Sequence, residues 1–204
     1  MNKFLYAAIG NGSVLAYGID SVTGAMTPVA GSPFAVSDDI DHVLAIKVSG
    51  NCFLYGTSNF NSKMFVYRIN WNTGVLAPLP DLTTASAGHA QSIGLFARIG
   101  APSTFLFVAD WDETKTSGSI EAYSITRSTG ALTAVTGLTL GDRQMPASLS
   151  VGPGNYLFVA NTAGSLLAYG INDSTGALTA VPGSPFSAGG FALSVATASL
   201  TPYY

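Results

Sequence analysis

Apolar and polar residues alternate with a period of two through most of the chain, as in Leu15, Tyr17 and Ile19 against Ala16, Gly18 and Asp20. Such alternation in aromatic and β-branched residues predicts half-buried strands. No stretch sustains a 3.6-residue apolar period between caps, so helix is expected to be nearly absent. The strands recur. FLYAAI at 4–9, FLYGTS at 53–58, FLFVAD at 105–110 and YLFVAN at 156–161 are versions of one segment. SVLAYGID at 13–20, KMFVYRIN at 63–70, SIEAYSIT at 119–126 and SLLAYGIN at 165–172 are versions of another. Tyr17, Tyr67, Tyr123 and Tyr169 keep step with the Thr-Gly pairs beginning at Thr23, Thr73, Thr129 and Thr175, both series being spaced 50, 56 and 46 residues. Each glycine suits a tight turn between strands, and an apolar segment follows it.

A fourth strand type, the least polar, runs through HVLAIKVS at 42–49, QSIGLFARI at 91–99, PASLSVG at 146–152 and FALSVAT at 191–197. A period near 50 with four short strands per unit is the signature of a propeller blade. The expectation is an all-β β-propeller of four four-stranded blades forming a single domain over 1–204, with repeat units at about 4–52, 53–104, 105–155 and 156–204. The chain opens on the second strand of a blade and ends on a first strand, so 191–197 is expected to pair with 4–9 and close the ring. Two chains forming one eight-bladed ring is the alternative, and a fragment of a longer chain is the third.

The pattern F-L-Y/F-V-A-N/D, then S-x-L-x-A-Y-x-I-N, then S-T-G-A-L-T-x-V-x-G-S-P-F resembles the repeats of the lactonase-type, or YVTN-repeat, β-propellers, which include 6-phosphogluconolactonases. It is most complete at 156–186, and Gly31-Ser32-Pro33-Phe34 repeats its ending in the first unit. The resemblance implies a propeller, and with it a hydrolase opening a sugar lactone. Members usually have seven blades, whereas this chain holds material for four.

Charge narrows the partners. The chain carries 8 Lys/Arg against 11 Asp/Glu, a net charge of −3, which offers no basic field to nucleic acid. Mean hydropathy is +0.37, yet polar residues and glycine break every apolar run short of the roughly 20 residues a spanning helix needs. Gly10, Asn11 and Gly12 interrupt the first apolar stretch, so no signal peptide is expected. The single cysteine, Cys52, leaves no internal disulfide and reads as a small buried strand residue.

In a propeller, the loops entering the innermost strands share one face. That face collects Asp38, Asp39, Asp41, Asp110, Asp112, Glu113 and Asp142, seven of the eleven acids. His42, His89 and Arg143 stand just ahead of three successive inner strands, with Asp41, Gln91 and Gln144 beside them. Arg143 would hold a carboxylate or phosphate, and His42 or His89 would activate water against a lactone carbonyl. The plainer reading is that loops are polar. Asp110-Trp111-Asp112-Glu113 could hold calcium but reads better as a solvated insertion. The leading functional expectation is therefore a recognition or scaffold module binding a small molecule, glycan or protein through this face, without metal or cofactor. A lactone hydrolase with His42 and His89 catalytic is the alternative. A self-assembling homo-oligomer is the third, since 9% charged residues protect a surface poorly against self-association.

Overall fold

A computed structural model describes residues 3–58, 63–80, 82–83, 89–96, 103–111, 118–140 and 145–198, with the side chains of 82–83, 89–96, Trp111 and Thr139 excepted. Its strands make four antiparallel sheets. Sheet 1 contains β1 (Lys3–Ile9), β2 (Ser13–Ile19), β3 (Met26–Pro28) and β4 (Phe34–Ala35). Sheet 2 contains β5 (His42–Val48), β6 (Asn51–Thr57), β7 (Lys63–Ile69), β8 (Leu76–Pro78) and β9 (Leu82–Thr83). In sheet 3 the order is β10 (His89–Phe96), β11 (Phe105–Trp111), β12 (Gly118–Ile125) and β13 (Leu132–Thr139). Sheet 4 holds β14 (Pro146–Gly152), β15 (Tyr156–Asn161), β16 (Ser165–Ile171), β17 (Leu178–Ala180) and β18 (Phe186–Ser187). Among the described residues no helix is long and apolar enough to cross a membrane.

Two compact units divide the chain: 1–89 with 126–132, and 90–125 with 133–204. In the first, Val14 of β2 packs with Leu54, Phe65, Tyr67 and Ile69 of sheet 2, with Ile40 and Leu76 completing the cluster. In the second, Phe105, Phe107, Ile120 and Leu140 pack against Leu149, Leu157, Val159, Leu167 and Tyr169. The four repeating tyrosines hold one register position, for Leu5 faces Tyr17, Leu54 faces Tyr67, Leu106 faces Tyr123 and Leu157 faces Tyr169. Tyr67, Tyr123 and Tyr169 are buried, while Tyr17 is half-buried.

Local chemistry explains why the turn motif repeats. Asp20 Oδ1 accepts from the N–H groups of Val22 and Thr23, Asn70 Oδ1 from those of Asn72 and Thr73, and Asn172 Oδ1 from those of Ser174 and Thr175. These bonds hold each turn shut, as Asx side chains do. The following glycine takes φ of +74° to +78° at Gly24, Gly74, Gly130 and Gly176, a conformation costly for other L-residues. In three places another segment's aromatic ring lies against it. A Cβ on Gly74 would stand 2.5 Å from the Phe4 ring, on Gly130 2.5 Å from Phe53, and on Gly176 2.7 Å from Phe105. Tyr6 and Tyr55 reinforce two of these joints, donating from their hydroxyls to the carbonyls of Gly74 and Gly130 at 2.8 and 2.9 Å. Burial raises both phenols, Tyr6 to about 12 with Cys52 adding to the shift.

Two segments depart from plain repetition. The strand after each turn is a single eight-residue run only in sheet 3, as β13. In sheets 1 and 4 it is split, because the N–H of Ala16 donates to Ser32 Oγ at 2.9 Å and that of Ala168 to Ser184 Oγ at 3.0 Å. The serine of Gly-Ser-Pro-Phe thus replaces a ladder bond while the chain swings out. The expected pairing of 191–197 with 4–9 is not made within one chain: 191–197 forms no strand in the described structure, while β1 is the edge strand of its sheet. The hydrogen bonds of 191–197 go to Ser148, Ser150, Val151 and Asn161 instead, and these hold the segment without forming a ladder.

Candidate functional site

The candidate site residues with described side chains lie in the first unit, where β5 begins and β6 ends. His42 and Thr57 sit directly opposite each other in the ladder, and the Asp41 N–H donates to the Thr57 carbonyl at 3.0 Å. Ile40 anchors the approach, buried in the core cluster. This fixes the backbone on which Asp41 and His42 stand. Directly paired side chains on one face have Cβ atoms about 4.5–5.5 Å apart. His42 Nδ1 and Thr57 Oγ1 are both buried and have no hydrogen-bond partner among the described residues.

Burial also sets the charge of His42. Desolvation disfavours the imidazolium and lowers its pKa from the usual 6.5, with the neighbouring Asp41 carboxylate opposing part of the shift. The neutral ring therefore dominates at neutral pH. Lys63, at the start of β7, meets Asp38 at 3.1 Å, which ties the approach to β5 onto the neighbouring strand.

Of the other expected site residues, His89 and Gln91 lie on β10, whose side chains fall outside the described residues, as do Arg143 and Gln144 altogether. Asp112 and Glu113 also fall outside, and Asp110 is buried at the end of β11 rather than solvated. A recurring position explains it. Ser58, Asp110 and Asn161 close the FLYGTS, FLFVAD and YLFVAN segments, and all three are buried. Asn161 shows the work done there: its Oδ1 accepts from the N–H groups of Met145 and Ala163, and its Nδ2 donates to Ser165 Oγ. These bonds clamp the surrounding loops.

Thr57 was not singled out by the sequence, although its place in the ladder facing the first histidine was the available signal. A second concavity was not legible at all. A groove of about 540 Å³ runs along β1 and β5, lined by Phe4, Tyr6, Ala45, Lys47, Cys52 and Trp71 among others. Cys52, on its wall, is partly accessible.

No family model and no curated protein matches the chain. Solved structures do. A candidate 6-phosphogluconolactonase from Bacteroides uniformis superposes with a TM-score of 0.73 at 16% identity, covering 94% of this chain and 53% of that one. The periplasmic gluconolactonase of Pseudomonas aeruginosa gives 0.67 at 18%, covering 87% and 50%. A protein from Lactobacillus plantarum gives 0.65 at 19%, covering 83% and 48%. The chain spans about half the length of these proteins. It therefore has an all-β, β-propeller-like fold similar to theirs.

Proposed function

We propose that the chain supplies four YVTN-type propeller blades, binds a sugar lactone and opens it by hydrolysis, with His42 as general base. The observation that carries this is the pair of buried atoms, His42 Nδ1 and Thr57 Oγ1, left without partners at the end of adjacent strands. A buried polar atom left unpaired costs about 1–3 kcal/mol, and it is tolerated where a water or ligand meets it. A neutral imidazole is the form that does useful work there. It takes a proton from water as the water oxygen bonds to the lactone carbonyl carbon. The ring C–O bond then breaks, the proton passes to the departing oxygen, and a hydroxy acid is formed.

Asp41 and His89 join His42 in the proposed ligand set. The names borne by two of the similar structures support the substrate class. The scarcity of cations favours an unphosphorylated sugar, because Lys63 is already engaged by Asp38.

Hydrolysis of a panel of sugar lactones, followed by acid release, tests the proposal. His42→Ala is expected to lower kcat/KM by about 10²–10⁴-fold, the usual worth of a general base. The rate should rise with pH through a pKa below 6.5, since burial lowers that of His42. Lactone binding without turnover would leave a recognition module at the same place. Neither binding nor turnover would remove the site.

A further inference from the structure

Sheets 2, 3 and 4 each begin with an inner strand, β5, β10 and β14, and among the described residues sheet 1 has none. The cost shows at Leu5. Its counterparts Leu54, Leu106 and Leu157 are 0% exposed, whereas Leu5 is 39% exposed. The groove along β1 and β5 runs beside this bare edge, between Phe4 and Tyr6 on one side and Ala45 and Lys47 on the other. An unpaired apolar edge is a ready template for another strand.

The matching piece lies at the other end of the chain. Leu-Ser-Val occurs twice, at 149–151 in β14, where Leu149 is 5% exposed, and at 193–195, where Leu193 is 67% exposed. The segment 191–197 has inner-strand composition and no ladder partner. The aromatic-on-glycine joint repeats the asymmetry. It is made three times, by Phe4, Phe53 and Phe105, yet a Cβ on Gly24 would meet nothing within 4 Å. Tyr156, the fourth aromatic of that series, is 42% exposed.

We infer that the chain assembles with a second copy of itself: residues 191–197 of one copy add to β1 of the other, and Tyr156 of the first docks on the Gly24 turn of the second. Each copy carries both halves of the joint. Two reciprocal joints therefore close a symmetric dimer, and closure consumes both bare edges. The contact continues the joint already made three times within the chain. In sheet 4, Val151 faces Leu157 and Leu149 faces Val159. The same register places Val195 of one copy opposite Leu5 of the other, and Leu193 opposite Ala7.

Mass in solution and directed cross-linking test this. The full-length protein should sediment at twice 20.9 kDa at micromolar concentration. Leu5→Cys and Val195→Cys, each combined with Cys52→Ser, should form a two-chain disulfide when co-refolded together and none when refolded alone. Cβ atoms across a ladder lie close enough for the bond. Tyr156→Ala should raise the dimer dissociation constant at least tenfold while leaving the circular dichroism of the sheets unchanged. A monomer at all concentrations overturns the inference. So does a chain carrying both cysteines that cross-links only within itself, which would mean that each copy closes on its own strand.

Discussion

Tyr123→Ala is expected to destabilise the protein by about 3–5 kcal/mol, the range for removing a large aromatic from a packed core. Tyr123 is fully buried, faces Leu106 across the β11–β12 ladder, and donates its hydroxyl to the carboxylate of Glu121, itself buried. The substitution leaves a cavity and removes a donor from a buried acid, and both act in the same direction. Tyr17 supplies an internal control. It occupies the same register position opposite Leu5 but is only half-buried. Tyr17→Ala should cost about 1 kcal/mol, the centre of the distribution for point substitutions. Urea unfolding of the two variants measures the difference. Equal losses would show that the repeat position, rather than its burial, sets the energetic weight of the tyrosine.

The pH dependence of stability gives a smaller effect with a definite sign. Because the folded-state pKa of His42 is lowered, the unfolded chain binds the extra proton first as pH falls below 6.5. Its contribution therefore weakens stability as pH drops from 6.5 toward the folded-state value, and it is absent above that window. His42→Gln should flatten this part of the stability curve. An unchanged curve would mean that the ring is solvated when folded.

Residues that do the same local work in every unit made most of the fold legible in the sequence. The threonine and glycine of each turn, and the Asx residue of three of them, act on atoms within five positions of one another, so the motif carries its own physics. Strand pairing is different, because a strand exists only where a neighbour supplies the ladder. FALSVAT has the composition of an inner strand, but composition does not say whether β1 of the same chain or of another lies alongside. The site was legible only as a set of polar residues ahead of inner strands. That His42 faces Thr57, and that burial rather than Asp41 dominates its charge, depend on packing that the residue types do not encode. The groove lined by Phe4, Lys47 and Trp71 gathers residues with no shared spacing, so no pattern announced it.

Gly130→Ala and Gly24→Ala separate the turn from the joint. Both glycines have nearly the same positive φ, +78° and +74°, so alanine meets the same backbone penalty at each, about 1–2 kcal/mol. At Gly130 there is a second cost, for the new Cβ would stand 2.5 Å from the ring of Phe53. Phe53 cannot retreat freely. Arg68 lies 5.2 Å above its ring and is itself bonded to Asn51 at 3.0 Å and to the Ser128 carbonyl at 3.0 Å. Overpacking a held site adds about 1–3 kcal/mol. Gly130→Ala should therefore cost about 2–5 kcal/mol in all, and Gly24→Ala, which meets open space within its own chain, only the backbone part. If Tyr156 of a second copy docks on the Gly24 turn, Gly24→Ala should also lower the sedimenting mass toward 20.9 kDa. Measuring unfolding and mass on both variants reads the two effects apart. A Gly24→Ala protein that loses no more stability than the backbone penalty and yet dissociates would place the same ring-on-glycine contact between copies that Phe53 and Gly130 make within one chain.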